Sequence, residues 1–181
     1  SPPQTISKEQ NYSKKKYQKR TVTIPNIDFP LLWKYNSDIY AWIMIPDTNV
    51  SYPILQHSKY DTYYLNHNLN GSTGYPGCIF SKPQSKKDFT DALLILYGHN
   101  MRNGTMFGAL RQLDKSDFVK KVYFIYIITP TSKILYRIRS SAVWCNKDIL
   151  YTFSNTPDSI YHFVRAIDLH GTSQSKILLL D

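Results

Sequence analysis

Cysteine is scarce in this chain, with Cys78 and Cys145 the two among 181 residues. They make neither a zinc cluster nor the disulfide framework of a small secreted module. Long apolar runs are missing too, since no stretch approaches the ~20 residues that a membrane-spanning helix needs. Acidic residues are few, 13 against 22 Lys and Arg, which leaves a net charge of +9. That balance favours an anionic partner or surface without choosing among nucleic acid, membrane and cell wall. No carboxylate cluster resembles a calcium loop. His57, His67, His162 and His170 fit no metal-ligand spacing and read as surface residues. Neither a metal nor a cofactor is therefore expected. A recognition-helix pattern and an aromatic-basic repeat are both absent, so nucleic acid is not the expected partner. There is no internal repeat.

What charge there is concentrates near the start, where Lys14, Lys15, Lys16, Lys19 and Arg20 crowd into "KKKYQKR". The preceding "SPPQTISKEQNYS" cannot bury enough apolar surface to order itself. Residues 1–22 read as a basic flexible arm and residues 23–181 as one domain. The chain opens on Ser1 rather than methionine, as a trimmed chain would. A basic arm suits a segment beside an anionic leaflet whose membrane anchor lies upstream, and it equally suits a solvated tail.

Downstream, the apolar period changes. Leu31, Leu32, Tyr35 and Ile39 recur at three- to four-residue steps, with Asp28 and Pro30 as start signals, which predicts one or two short helices. Short β-rich runs follow at 42–45, 52–55, 77–80, 92–97, 122–128, 133–144 and 176–180, separated by turn signals such as "PDTN", "NLNGSTGYPG" and "TPTS". Such a series suggests a closed or nearly closed barrel. Helical stretches interrupt it at 60–65, at 106–113 and in "TPDSIYHFVRAIDLHG". In the last, Thr156 is placed to cap and Ile160, Phe163, Val164 and Ile167 share a face.

One run, "LLILYGHNMRNGTMF", turns polar immediately after Gly98 and His99. Its first residues are apolar in both directions, which predicts a central strand, and Gly98 marks a bend or a close approach. His99 then ends the strand. From the residues alone it is either a satisfied structural histidine or a catalytic base on a rigid support.

Extended to "LLILYGHNMRNGTMFGAL", this segment resembles the histidine segment of the class B sortases, Gram-positive cell-surface cysteine transpeptidases. In that family a strand ends in Tyr-Gly-His and a Gly-Thr-Met-Phe helix start follows. "SDIYAWIMIPDTNVSYPILQ" is similar to the family's lead into its first strands, and "YYLNHNLNGSTGYPGCIF" to its Tyr-Leu-Asn helix followed by a Gly-x-Ile-Phe strand. "SKILLLD" resembles the strand leading to the nucleophile. About residues 28–181 align in order and spacing.

The resemblance implies a mainly β fold with α: a closed eight-stranded sortase barrel whose final strand is missing from this chain. N-terminal helices would open it, and a helix would lie in the long connection between strands six and seven, at about 146–175. It further implies cleavage of a sorting signal after threonine through a cysteine thioester. The acyl group then passes to an amine of the peptidoglycan precursor at the outer membrane face. His99 matches the family's catalytic histidine, the proton donor to the departing amine, while an arginine stabilises the oxyanion.

The likeness departs at its C-terminal end. Leu179, Leu180 and Asp181 would fill the first three places of the family's Thr-Leu-x-Thr-Cys motif. The cysteine would fall two residues beyond Asp181 and the arginine on the following strand, so residues 1–181 by themselves are expected to be inactive. The final strand is expected to run beside the segment carrying His99. Cys78 and Cys145 occupy other positions and read as small buried hydrophobes; Arg102 does not match the arginine. Asn66 is implied to hydrogen-bond the sorting peptide, and Ile149 with Leu150 to wall its groove. The open alternatives are a helix-end cap for Asn66 and core packing for the other two. A non-catalytic peptide- or cell-wall-binding barrel is the alternative function.

Overall fold

The first helix, α1 (Phe29–Tyr35), begins where Asp28 accepts a hydrogen bond from Leu31 N at 2.9 Å. That cap and Pro30 in the first turn satisfy the helix start. Asn36 then takes an extended backbone and ends it. Ile39, expected on the helical stripe, instead opens β1 (Ile39–Met44). The computed structural model describes residues 22–114, 124–144, 158 and 175–180, with 139–144 and 175–180 described by their backbone. The arm through residue 21, Cys145, Ile149, Leu150, the helix expected from Thr156 onward and Asp181 lie outside the described residues.

β1 pairs antiparallel with β2 (Ser51–Leu55), and a register shift between Ile39 and Ala41 bends it. The turn between them closes through Ile45 N to Val50 O at 2.9 Å and Thr48 Oγ1 to Ile45 O at 2.7 Å. β3 (Ile79–Phe80) lies parallel to β2, β4 (Phe124–Ile128) pairs antiparallel with β1, and β5 (Lys133–Trp144) with β4. The last strand, β6 (Ser175–Leu180), pairs antiparallel with β5. The sheet order is β3-β2-β1-β4-β5-β6.

Successive side chains of a strand point to opposite faces, and here both directions are apolar. Ile54, Ile79, Ile125 and Ile127 join one buried cluster with Tyr40, Met106, Leu110 and Leu113. Their neighbours Leu55, Phe80 and Ile128 join a second with Phe29, Ile39 and Tyr64. A 3-10 segment, Phe107–Asp114, contributes to the first cluster; α1 and the 3-10 turn Tyr63–Leu65 contribute to the second. Burial on both faces explains why the central strands read as continuous apolar runs rather than as an alternation.

Two expectations need correction. Residues 92–97 form no strand; Tyr97 alone makes an antiparallel bridge, to Phe80. No hydrogen bonds join the two edges of this sheet among the described residues. Nor does the last strand pair beside the histidine segment. β5 spends residues 133–137 on β4 and its later residues, from Ile138 on, pair with β6, which places β6 at the edge opposite β3.

Ile125 is completely buried at the sheet centre, whereas Leu31 on α1 is 47% exposed. Ile125→Ala is expected to lower unfolding free energy by about 2–5 kcal/mol. Leu31→Ala is expected to change it by no more than about 0.5 kcal/mol. Denaturant titration of the two variants checks the assignment of core and surface.

Candidate active site

His99 takes its position from the two-residue strand β3. Tyr97 N donates to Phe80 O at 2.8 Å and Phe80 N to Tyr97 O at 3.0 Å, a closed pair that ties the histidine segment to the sheet. Gly98 follows because nothing larger fits: a Cβ there would collide with Ile79 Cδ1 and stand 2.9 Å from the Phe107 ring. Past His99 the chain doubles back, with Phe107 N donating to His99 O at 3.0 Å and an isolated bridge between Asn100 and Met106. Arg111 Nη2 braces this loop, donating to Met101 O at 2.6 Å and to Arg102 O at 3.0 Å. Arg102 itself is exposed and supplies the loop with a carbonyl.

The imidazole is half-buried, with Nε2 2.6 Å from the carbonyl oxygen of Leu65. A carbonyl only accepts, so Nε2 carries a hydrogen and donates it to Leu65 O. The Tyr75 ring packs against the imidazole, centroids 4.6 Å apart and planes tilted by 33°. Leu65 ends the turn Tyr63–Leu65, and Cys78 N, just before β3, donates to Tyr64 O at 2.9 Å. Gly77 permits that approach, because its φ is 64° and a Cβ would stand 2.5 Å from Tyr64 O. From the other side, Tyr64 Oη donates to Asp38 Oδ2 at 2.7 Å; burial, with this acceptor, holds the phenol well above its usual range.

Asn66 shares a peptide unit with the Leu65 carbonyl, so the structure brings it beside His99. The Asn66 carbonyl accepts from Gly74 N at 2.7 Å, while its exposed side-chain amide has no hydrogen bond among the described residues. It thus ends the turn through its backbone.

Cys78 is buried, its Sγ directed to His67 O at 3.5 Å, and burial pushes the thiol up to about 11. A thiol so placed is not a thiolate at neutral pH. His57 and His67 are half-buried rather than ordinary surface residues. Tyr63 lies between them, stacked on His67 at 3.9 Å and tilted on His57 at 4.4 Å. His57 Nδ1 accepts from Lys59 N and Tyr60 N, each at 3.0 Å, and His67 Nδ1 donates to Tyr63 O at 2.8 Å. These bonds make them structural. Among the described residues no group of His, Cys, Asp and Glu side chains stands ready to hold a metal ion, and no helix is long and apolar enough to cross a membrane.

The Leu65 carbonyl, Tyr75 and Arg111 were not legible as site residues. A backbone acceptor has no side-chain signature, and Tyr75 and Arg111 reach the histidine region only through the folded loops. Gly77 did carry a signal, inside the turn-rich "GSTGYPG".

No protein-family profile matches the chain. It is 44% identical over 96 residues to sortase B of Listeria monocytogenes, covering 52% of this chain and 39% of that protein. It is 31% identical over 132 residues to sortase B of Staphylococcus aureus, covering 72% of this chain and 54% of that protein. The chain therefore spans about half the length, or less, of these relatives. A Streptococcus pyogenes class B sortase involved in pilus biogenesis superposes with a TM-score of 0.68 at 28% identity, over 84% of this chain and 83% of that one. A Staphylococcus aureus sortase B–substrate complex does so with a TM-score of 0.69 at 26% identity, over 81% and 68%. Sheet and helices together are those of a sortase domain. Within it, the chain belongs to the class B sortases, a cell-envelope family of cysteine transpeptidases.

At neutral pH, Cys78 is expected to resist alkylation by iodoacetamide. Peptide-level mapping should find its labelling rising steeply only as the pH nears 11; rapid labelling at pH 7 would contradict the buried placement.

Proposed function

We propose that the protein is a class B sortase transpeptidase in which His99 is the proton-transferring residue. The observation that carries this reading is the imidazole itself: half-exposed, anchored at Nε2 by the Leu65 carbonyl, with no hydrogen bond at Nδ1 among the described residues. Fixing one nitrogen orients the ring for proton exchange, as a general acid–base needs.

In the proposed reaction a cysteine thiolate bonds to the carbonyl carbon of the threonine in a sorting signal. The amide C–N bond breaks as the imidazolium gives its proton to the departing amine. An amine of the peptidoglycan precursor then attacks the thioester, the C–S bond breaks, and the imidazole takes up the amine's proton. The matched positions of that cysteine and of the oxyanion-stabilising arginine fall beyond Asp181. Asn66, with an unengaged side chain next to the Leu65 carbonyl, is suited to hydrogen-bond the sorting peptide; Ile149 and Leu150 remain proposed as its groove wall. The working location is the outer membrane face, with the basic arm leading from an upstream anchor. Residues 1–181 alone hold Cys78 as a buried thiol and have neither cysteine at the matched nucleophile position, so we expect them to form no thioester.

The test uses the protein extended through its natural continuation past residue 181. His99→Ala should cut turnover of a threonine-containing sorting peptide by about 10²- to 10⁴-fold, with the circular dichroism of the parent. Turnover like that of the parent would refute the assignment. Saturable peptide binding by the extended protein with no turnover at all would mark it as a non-catalytic binding domain. A covalent peptide adduct on residues 1–181 would overturn the expectation for the shorter chain.

A further inference from the structure

We propose that the cleft adjoining His99 binds a neutral N-acetylated sugar chain, the glycan portion of the acceptor; this rests on the transpeptidase reading above. The cleft is a shallow, solvent-open depression of about 490 Å³, and its walls include Tyr35, Asn68, Asn70, Ser72, Tyr75 and Pro76. No Lys, Arg, Asp or Glu lines it, although the chain carries a net charge of +9. A phosphate or an acidic polymer finds no counter-charge there. What the walls present instead is flat apolar surface with short neutral hydrogen-bonding groups. A sugar matches both, its C–H face packing on an aromatic ring while its hydroxyl and acetamido groups meet amides and hydroxyls.

The two rings are available for such contact. Tyr35, at the end of α1, is 72% exposed and Tyr75 is 73% exposed. The loop between them is already set by its own hydrogen bonds. Asn68 Nδ2 donates to Ser72 Oγ at 3.2 Å, Asn68 Oδ1 accepts from Gly77 N at 3.2 Å, and Ser72 Oγ donates to Asn70 Oδ1 at 2.7 Å. These bonds leave Asn70 Nδ2 and the Tyr35 and Tyr75 hydroxyls unengaged among the described residues. A preformed loop with unused polar ends binds at small ordering cost.

Position links the cleft to the chemistry. Tyr75 both lines it and packs on the His99 imidazole at 4.6 Å, so a sugar seated on Tyr75 lies next to the ring that takes up the acceptor's proton. Asn66, the residue proposed to meet the sorting peptide, stands at the Leu65 side of the same imidazole. The donor peptide and the acceptor glycan thus approach His99 from different neighbours.

The test is a titration of chitotriose, a neutral N-acetylglucosamine trimer, into the ¹⁵N-labelled 181-residue chain, with backbone amide shifts as readout. Saturable shifts at Asn70 and Tyr75 are expected, with an affinity unchanged between roughly 50 and 500 mM salt because no ion pair is involved. Tyr35→Ala and Asn70→Ala, both at exposed positions, should each weaken binding about fivefold while the circular dichroism stays that of the parent. Absence of saturable shifts, shifts confined to other residues, or an affinity that falls steeply with salt would overturn the proposal. So would displacement of chitotriose from these amides by a sorting peptide, which would make the cleft a donor site. Binding is read here without turnover. Loss of turnover in His99→Ala with no chitotriose binding therefore removes the glycan site and leaves the transpeptidase reading, while chitotriose binding alongside a fully active His99→Ala variant does the reverse.

Discussion

The hydrogen bond from His99 Nε2 to the Leu65 carbonyl joins segments 34 residues apart, and both of its ends are held by β3 and the residue before it. On one side the Tyr97–Phe80 pair fixes the histidine segment; on the other, Cys78 N fixes the Tyr63–Leu65 turn through Tyr64 O. β3 is held in turn by its parallel pairing with β2 and by Ile79 and Phe80, which insert into opposite buried clusters. A strand of two residues would be marginal by its ladder alone. Its side chains, buried on both faces, make it rigid enough to carry an imidazole in one orientation.

The surrounding loops serve the same end. Gly98 and Gly77 are the places where chain must approach chain, Gly98 against Ile79 and Phe107 and Gly77 against the Tyr64 carbonyl. Polar groups that this packing would strand are paired instead. Gln56 Nε2 donates to Lys82 O and Ser85 O and lies 3.1 Å from Ser81 Oγ, Tyr40 Oη donates to Ser81 Oγ, and Asn36 bridges Tyr64 and Leu69. No buried side-chain nitrogen or oxygen among the described residues is left without a partner, which keeps the interior around the site specific as well as stable. Cys78 belongs to this interior, and its protonated thiol is a packing group.

The carbonyl anchor orients the imidazole without placing a charge beside the ring. Aromatic packing from Tyr75 then limits tilting while leaving the ring half-exposed. The same tyrosine opens onto an uncharged cleft, so the feature that steadies the imidazole also shapes what can lie next to it.

Much of this protein was legible from its residues. Asp28 and Pro30 announced α1, the bounds of β5 coincide with the β-rich run at 133–144, and Gly98-His99 stood out as a bend or close approach, although only the resemblance, not the residues alone, gave His99 its candidate role. Local chemistry dictates such features: a cap, a β-rich run and a missing side chain all act within a few residues. What the chain could not announce is pairing between distant backbones. Residues 92–97 have the composition of a strand, yet Tyr97 alone finds a bridge partner, Phe80; β6 lies against β5 because β5 extends beyond β4. The partner of His99 is likewise a main-chain oxygen, which every residue has and no sequence can single out; only folding, by bringing Leu65 within 2.6 Å, selected it.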